Sequence, residues 1–314
     1  MNSIRCGAFL TRESNVKNIY ESFANEKNSC NARWFVEAST YFSDLYDQLM
    51  KAKESIYIAG WWISPELYLK RPVKINNEPS RTRCLNKIVE NIEEEGVPDS
   101  NRNSLGSENA VNKNSDSSDS EEDPIDNFNL RLMDVLKLKA NEGVMIHLLI
   151  YKEVKLALSM NSNHTKKTLN NLHANIKVTR HPKKNLDLLW SHHEKIVIID
   201  QRVGYVGGVD LCWGRYDTKD HKISEDPNYH RTYHWPGIDY CNNRIADFVN
   251  VHQYHIDSVD RTAYQRMPWH DIQVYLEGPV VSDLCRHFVE RWNYARTNNF
   301  KQNKKYTIMN GKKN

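Results

Sequence analysis

The run Val144-Met-Ile-His-Leu-Leu-Ile-Tyr151 is the longest apolar stretch in the chain. Crossing a bilayer takes roughly 18 or more such residues, so no segment of this sequence spans one, and any membrane contact is expected to be peripheral. A run of this length, following Gly143, suits a β-strand buried on both faces. Similar short strands are predicted at Ser55–Ser64 (Ile56, Ile58, Trp61, Ile63), Ile176–Thr179, Leu188–Asp200, Val203–Val206 and Ile272–Leu276. Helical spacing separates them. It is carried by Tyr41, Phe42, Leu45, Leu49 and Ala52, by Leu130, Met133, Leu136 and Leu138 up to a stop at Gly143, and by residues 152–173 with a break near Ser159–Asn163. A final helix at Val280–Tyr294 collects Val281, Leu284, Cys285, Phe288 and Trp292 on one face. Strands alternating with helices predict an α/β fold. Gly214–Pro268, rich in Tyr, His, Asp and Asn and without periodicity, is expected to be a long, partly ordered connection.

The 314 residues allow one large domain or two small ones, and 39% hydrophobic residues suffice for a sizeable core. Charge is unevenly placed. Glu93–Asp126 holds eleven acidic and two basic residues, so the net +3 divides into −9 there and +12 elsewhere. A basic body of this kind is able to attract phosphates on a lipid surface or in a nucleic acid, the alternative being that Lys and Arg only solvate the surface. Within the acidic part, residues 97–126 are predicted to be a disordered insert. Ser118 and Ser120, with Glu121 and Asp123 three residues on, are expected targets of an acid-directed kinase, with an inert linker as the alternative. The predicted organisation is a polar lead-in at 1–31, a catalytic lobe at 32–296 interrupted by the insert, and a loose basic tail at 297–314. Cys6, Cys30, Cys84, Cys212, Cys241 and Cys285 form no C-x-x-C pair, which disfavours a zinc site or a disulfide framework. With no apolar leader in Met1–Tyr20, a cytoplasmic protein with reduced thiols is expected.

Chemistry concentrates in Trp190-Ser-His-His-Glu-Lys-Ile-Val-Ile-Ile-Asp200. His193, Lys195 and Asp200 form H-x-K-x4-D, and no other histidine in the sequence completes that pattern. Side chains two apart on a strand share a face, so His193 and Lys195 converge on one pocket, while His192 points the other way. An imidazole supplies a nucleophile or proton carrier and an ammonium neutralises phosphate oxygens, which is what attack on a phosphodiester requires. Asp200, farther along, is expected to act in support by orienting a neighbour. Gly207-Gly208 is expected to let backbone amides approach an anion. Trp269 and His270 are candidates for the pocket wall, with core packing as the alternative. Of the adjacent Trp61 and Trp62, at least one is expected in the core.

His193, Lys195 and Asp200, followed by Gly207-Gly208-Val209-Asp210, resemble the first HKD motif of eukaryotic phospholipase D. The resemblance extends to Ala32-Arg-Trp-Phe-Val36, Trp61-Trp-Ile-Ser-Pro-Glu66, Lys70-Arg-Pro72, Tyr151-Lys-Glu-Val154, Asn175-Ile-Lys-Val178 and Arg180-His-Pro182. Beyond the motif it takes in Arg266-Met-Pro-Trp-His-Asp271, Arg286-His-Phe288 and Arg291-Trp-Asn293. It covers roughly residues 20–296 apart from the acidic insert. It implies the N-terminal catalytic lobe of that family, a mixed β-sheet sandwiched between helices.

Family members carry two HKD motifs, one per lobe, and this sequence holds only the first. The expectation is therefore a half-site fragment, or a protein that acts by pairing with a missing second lobe or with a copy of itself. The resemblance implies hydrolysis of phosphatidylcholine, at an anionic membrane surface, to phosphatidic acid and choline. The histidine of one motif attacks phosphorus to give a phosphohistidine; that of the other protonates the leaving choline and then activates water. No metal or other cofactor is implied for this chemistry, and no nucleic-acid partner. The alternatives are a single-motif homodimeric phosphodiesterase acting on cardiolipin or nucleic acid, and a non-catalytic membrane- or partner-binding remnant.

Overall fold

A computed structural model describes residues 21–74, 130–154, 158–181, 191–225 and 232–297. The acidic insert, with Ser118 and Ser120, lies outside the described residues, as do 1–20 and the tail beyond 297. The described strands form a seven-stranded sheet in the order 31–35, 273–277, 203–207, 196–199, 55–60, 145–150 and 176–180, and 73–74 pairs separately with 232–233. In chain order the elements are β1 (Asn31–Phe35), α1 (Ala38–Met50), β2 (Ser55–Gly60), β3 (Val73–Lys74), α2 (Leu132–Asn141), β4 (Met145–Ile150), α3 (Ser162–Leu172) and β5 (Ile176–Arg180). They continue with β6 (Ile196–Ile199), β7 (Val203–Gly207), β8 (Thr232–Tyr233), β9 (Gln273–Glu277) and α4 (Val281–Thr297). Strands β2, β4 and β5 run parallel, whereas β2-β6-β7-β9-β1 pair antiparallel, so the sheet is mixed as expected.

Period-two alternation sorts the strand residues between two cores. Ile56, Ile58, Ile146, Leu148, Val197 and Ile199 pack on one face with Phe42, Leu45 and Leu49 of α1, Val135 and Leu136 of α2, and Leu169 of α3. Tyr57, Ala59, Leu149, Ile196 and Ile198 face the other way, onto Val281, Cys285, Phe288, Val289 and Trp292 of α4. Each fully buried Leu or Ile contributes roughly 1.5–3 kcal/mol relative to an exposed one, so register is firmly set on both sides.

Several boundaries differ from the sequence expectation. Strand β2 ends at Gly60, not Ser64, because the backbone turns so tightly there that a Cβ would lie 2.7 Å from the Ile63 side chain. Trp61 and Trp62 therefore lie beyond the strand; Trp62 is buried edge-on against Phe248 at 4.9 Å. The helix sought over 152–173 starts only at Ser162, where the Asn161 side chain accepts the His164 N–H. Strand β6 begins at Ile196; residues 182–190 lie outside the described residues.

The largest correction concerns 214–268. Its described residues contain little regular structure yet are densely packed, with Trp235 and Tyr240 at 2% exposure or less. Buried ion pairs hold them: Arg71 with Asp239, Arg261 with Glu225 at 3.2 Å, and Arg266 with Asp217 at 2.9 Å. Aromatic rings and paired charges at irregular spacing build this part of the core, so no hydrophobic periodicity announces it.

Candidate active site

Residues 191–195 lead into β6, and Lys195 is held by its carbonyl, which accepts the Gly207 N–H at 3.3 Å. The alternation of the strand carries through them. Even-numbered His192 and Glu194 face α4; odd-numbered His193 and Lys195 face the opposite side. The predicted convergence is present. The His193 ring lies 5.1 Å from that of Trp61, the Lys195 ammonium sits 5.5 Å over the same indole, and Lys195 Nζ donates to the His193 carbonyl at 3.2 Å.

Lys195 is 6% exposed and forms an ion pair at 3.1 Å with Asp210, which is 3% exposed. Burial lowers the lysine's pKa, and Asp210 opposes that shift. The other oxygen of Asp210 accepts the Trp62 N–H at 3.2 Å, tying the cation to the turn after β2. His193 itself is exposed. Its pKa is nonetheless lowered, first by partial desolvation and then by the positive field of Lys195 and Arg215, against the pull of Asp210 and Asp271. A lowered imidazole pKa leaves a free ring lone pair at neutral pH. The arrangement thus offers an exposed neutral nucleophile beside a fixed buried cation.

Arg215, which the sequence reading did not single out, is buried, with its guanidinium 3.8 Å from the Trp269 ring and 5.9 Å from that of Trp62. Its Nε is buried without a hydrogen-bond partner. Asp210 entered only as the end of the Gly-Gly-Val-Asp stretch, and its pairing with Lys195 had no local signal. Contacts between residues 15 to 150 positions apart leave no mark in spacing.

The remaining predicted residues separate. Asp200 lies at the far end of β6, about 16 Å from Lys195 at ~3.3 Å per residue. Its carboxylate accepts the N–H groups of Lys53, Glu54 and Ser55 at 2.7–2.9 Å, fixing the start of β2. The Gly207 and Gly208 amides are already used, donating to Lys195 and Ile272 carbonyls, so they do not face an open anion site. Glycine is needed there for another reason: a Cβ on Gly207 would lie 2.4 Å from the Ile272 carbonyl oxygen, and one on Gly208 2.0 Å from Asp271. The pair lets the lead-in of β9 approach. Trp269 joins the site through Arg215 and donates its backbone N–H to Asp217 at 2.8 Å. His270 is 60% exposed and turns towards Glu37 and His221 instead.

His192 is fully buried 5.2 Å from His181, and burial pushes its pKa down to about 3 despite Glu194 nearby. Glu194 grips α4 through His287 at 3.0 Å and Arg291 at 3.5 Å. A groove of about 460 Å³ between residues 23–30 and α4 lies on this same face of the sheet, away from the side to which His193 and Lys195 point.

A family model described as "Phospholipase D" matches residues 122–312. Phospholipase D zeta 2 of Arabidopsis thaliana is 39% identical over 269 residues, covering 85% of this chain and 20% of the relative. Phospholipase D2 of Bos taurus is 33% identical over 300 residues, covering 88% and 26%. Phospholipase D1 of Saccharomyces cerevisiae is 35% identical over 279 residues, covering 88% and 14%. The chain therefore spans about a quarter or less of the length of each of these relatives.

Proposed function

The chain belongs to the phospholipase D family, and on that premise we propose that it supplies one half of a site that hydrolyses phosphatidylcholine to phosphatidic acid and choline. The observation that supports this most is the exposed imidazole of His193, its pKa lowered, beside the buried Lys195–Asp210 pair. In this reading a ring nitrogen of His193 bonds to phosphorus as the bond from phosphorus to the choline oxygen breaks. Lys195 balances the charge on the non-bridging oxygens. The departing alkoxide takes a proton from the histidine of a second HKD motif, in another lobe or another copy, and that histidine then deprotonates water. Water displaces His193 from phosphorus, giving phosphatidic acid and free enzyme.

Since the substrate lies in a bilayer, the chain acts at a membrane surface. No helix among the described residues is long and apolar enough to cross a membrane, and the basic body suits an anionic surface. The relatives above all carry the name phospholipase D, which does not favour cardiolipin or nucleic acid as substrate.

A phosphatidyl ester of p-nitrophenol tests the assignment, because nitrophenolate leaves without being protonated. His193 and Lys195 then suffice for the first step. The expected result is a burst of about one nitrophenolate per chain, leaving an acid-labile phosphate on His193. The choline ester gives no such burst unless a second motif is supplied. A folded wild-type chain that shows no burst, or a burst retained in His193→Asn, overturns the reading.

A further inference from the structure

Three residues that the phosphodiester chemistry leaves unused meet beside the site. Glu37 immediately precedes α1, His221 follows Asp217 in the connection after β7, and His270 lies in the lead-in to β9. We propose that Glu37, His221 and His270 bind a divalent transition-metal ion of the zinc class.

The geometry suits such an ion. Glu37 Oε1 lies 3.4 Å from His221 Nε2 and 3.5 Å from His270 Nδ1, and the three ligand atoms lie within 4.8 Å of one another. Two atoms each bound about 2.0–2.1 Å from a tetrahedral zinc are separated by roughly 3.3–3.4 Å. An ion therefore fits between these groups with shifts of a few tenths of an ångström along the two measured edges. Two imidazoles and one carboxylate favour zinc or its neighbours over calcium or magnesium, which prefer oxygen ligands. The fourth position faces solvent: the His270 side chain is 60% exposed and that of His221 34%.

The surroundings are those of a supported site. His221 Nδ1 lies 3.2 Å from the carboxylate of Asp217, whose side chain is fully buried. The contact falls outside hydrogen-bond geometry, and Nδ1 is buried and unpartnered; a small turn of the ring would let Asp217 accept the Nδ1–H and so present Nε2 as a lone pair, the usual outer partner of a metal-binding histidine. Asp217 is itself rigid. Arg266 donates to it at 2.9 and 3.3 Å, and the Trp269 N–H at 2.8 Å. Its carbonyl accepts the Ser39 N–H at 3.0 Å. One residue thus anchors the loop of His221, the start of α1 next to Glu37, and the backbone next to His270. Glu37 Oε2, moreover, is buried without a hydrogen-bond partner, a costly state for a carboxylate oxygen that a metal would relieve.

The ion would pin the lead-in of β9, which carries Trp269 to Arg215 and Asp271 into electrostatic reach of His193, against α1. It plays no part in the bond-breaking steps above, and the proposal does not depend on the substrate.

Cobalt(II) alone, added to the chelator-treated full chain, is the probe. The wild type is expected to take up one equivalent, with the intense visible absorption of a tetrahedral site. Glu37→Gln and His270→Ala each lose at least tenfold in affinity, while His252→Ala, outside the cluster, binds like wild type. Zinc raises the Tm of the wild type but not of Glu37→Gln. If wild type and Glu37→Gln take up cobalt equally, or the wild type takes up less than one equivalent with no tetrahedral spectrum, the three groups are ordinary ion pairs and the proposal fails. Circular dichroism of each variant separates lost binding from lost folding.

Discussion

His192 and His193 are adjacent, yet they occupy opposite worlds. His192 turns to α4, where its side chain is fully buried beside Glu194 and His181. His193 turns to the other side, exposed over Trp61 and flanked by Lys195. Burial lowers both pKa values, that of His192 to about 3. The same chemical group is a packing element on one face and, in the proposed reaction, the nucleophile on the other, because only one is exposed. The paired charges repeat the contrast: Lys195 is committed inward to Asp210, whereas Glu194 reaches across to His287 and Arg291 on a helix surface.

The sharpest way to break the symmetry is to make one substitution at both histidines. His193→Asn is expected to slow the nitrophenolate burst by on the order of 10⁴-fold or more, as loss of a nucleophile does elsewhere. His192→Asn is expected to appear in urea unfolding rather than in burst amplitude. Equal losses of the burst in the two variants would show that position, not exposure, decides the role.

The two charged pairs differ in the same sense. Lys195→Ala strands the Asp210 carboxylate at 3% exposure, and is expected to cost about 3–5 kcal/mol in denaturant unfolding. Lys195→Ala combined with Asp210→Ala is expected to lose much less than the sum of the single variants. Additive losses would mean that the pair is not coupled.

Acid sharpens the contrast from the α4 side. His147, which meets Trp292 edge-on at 4.9 Å, and His192 both have pKa values pushed from 6.5 to about 3, chiefly by burial. A histidine whose folded pKa is depressed takes up protons preferentially in the unfolded chain. Its contribution is therefore intact above pH 6.5 and drains away as pH falls towards 3. The two together are expected to make stability fall as pH drops through that interval. His147→Phe is expected to flatten the acid limb measured by urea unfolding at a series of pH values; an unchanged limb places the acid sensitivity elsewhere.

How much of this was legible in the sequence follows from the range of the forces involved. Val144–Ile150 and Ile196–Ile199 announce buried strands because alternation and apolar runs are local, and the opposite orientation of His192 and His193 follows from the same rule. The dense packing of Trp235 and Tyr240 leaves no mark in the sequence because paired arginines and aromatics, not periodic aliphatics, hold that region. Lys195 finds Asp210 by a turn of chain that no spacing encodes. Gly207-Gly208 suggests anion-facing amides in the sequence, yet the pair is required by the lead-in of β9, a contact more than sixty residues away. Asp200 completes the motif in sequence but closes the start of β2 in space.

The smallest expected effect concerns Glu194 and its hold on α4. Burial alone would raise the Glu194 carboxyl, but the His287 hydrogen bond and the nearby positive charges outweigh it and hold it below its usual value of 4.5. The same hydrogen bond raises His287 above 6.5. The two shifts act over different intervals. The depressed carboxylate contributes above pH 4.5 and loses its contribution as pH falls through its folded value. The raised histidine contributes below pH 6.5 and loses its contribution as pH rises through its own. Their combined effect is therefore greatest between about pH 4.5 and 6.5. Since His287 is 35% exposed, solvent screening holds the gain to about 0.5 kcal/mol. Glu194→Gln is expected to lower urea-unfolding stability by that amount at pH 5.5 and by less at pH 8.5, with the His193 burst retained. A loss that is the same at both pH values would show that Glu194 holds α4 by shape and neutral hydrogen bonds, and that the charged face of this segment is no more electrostatic than the face that bears His193.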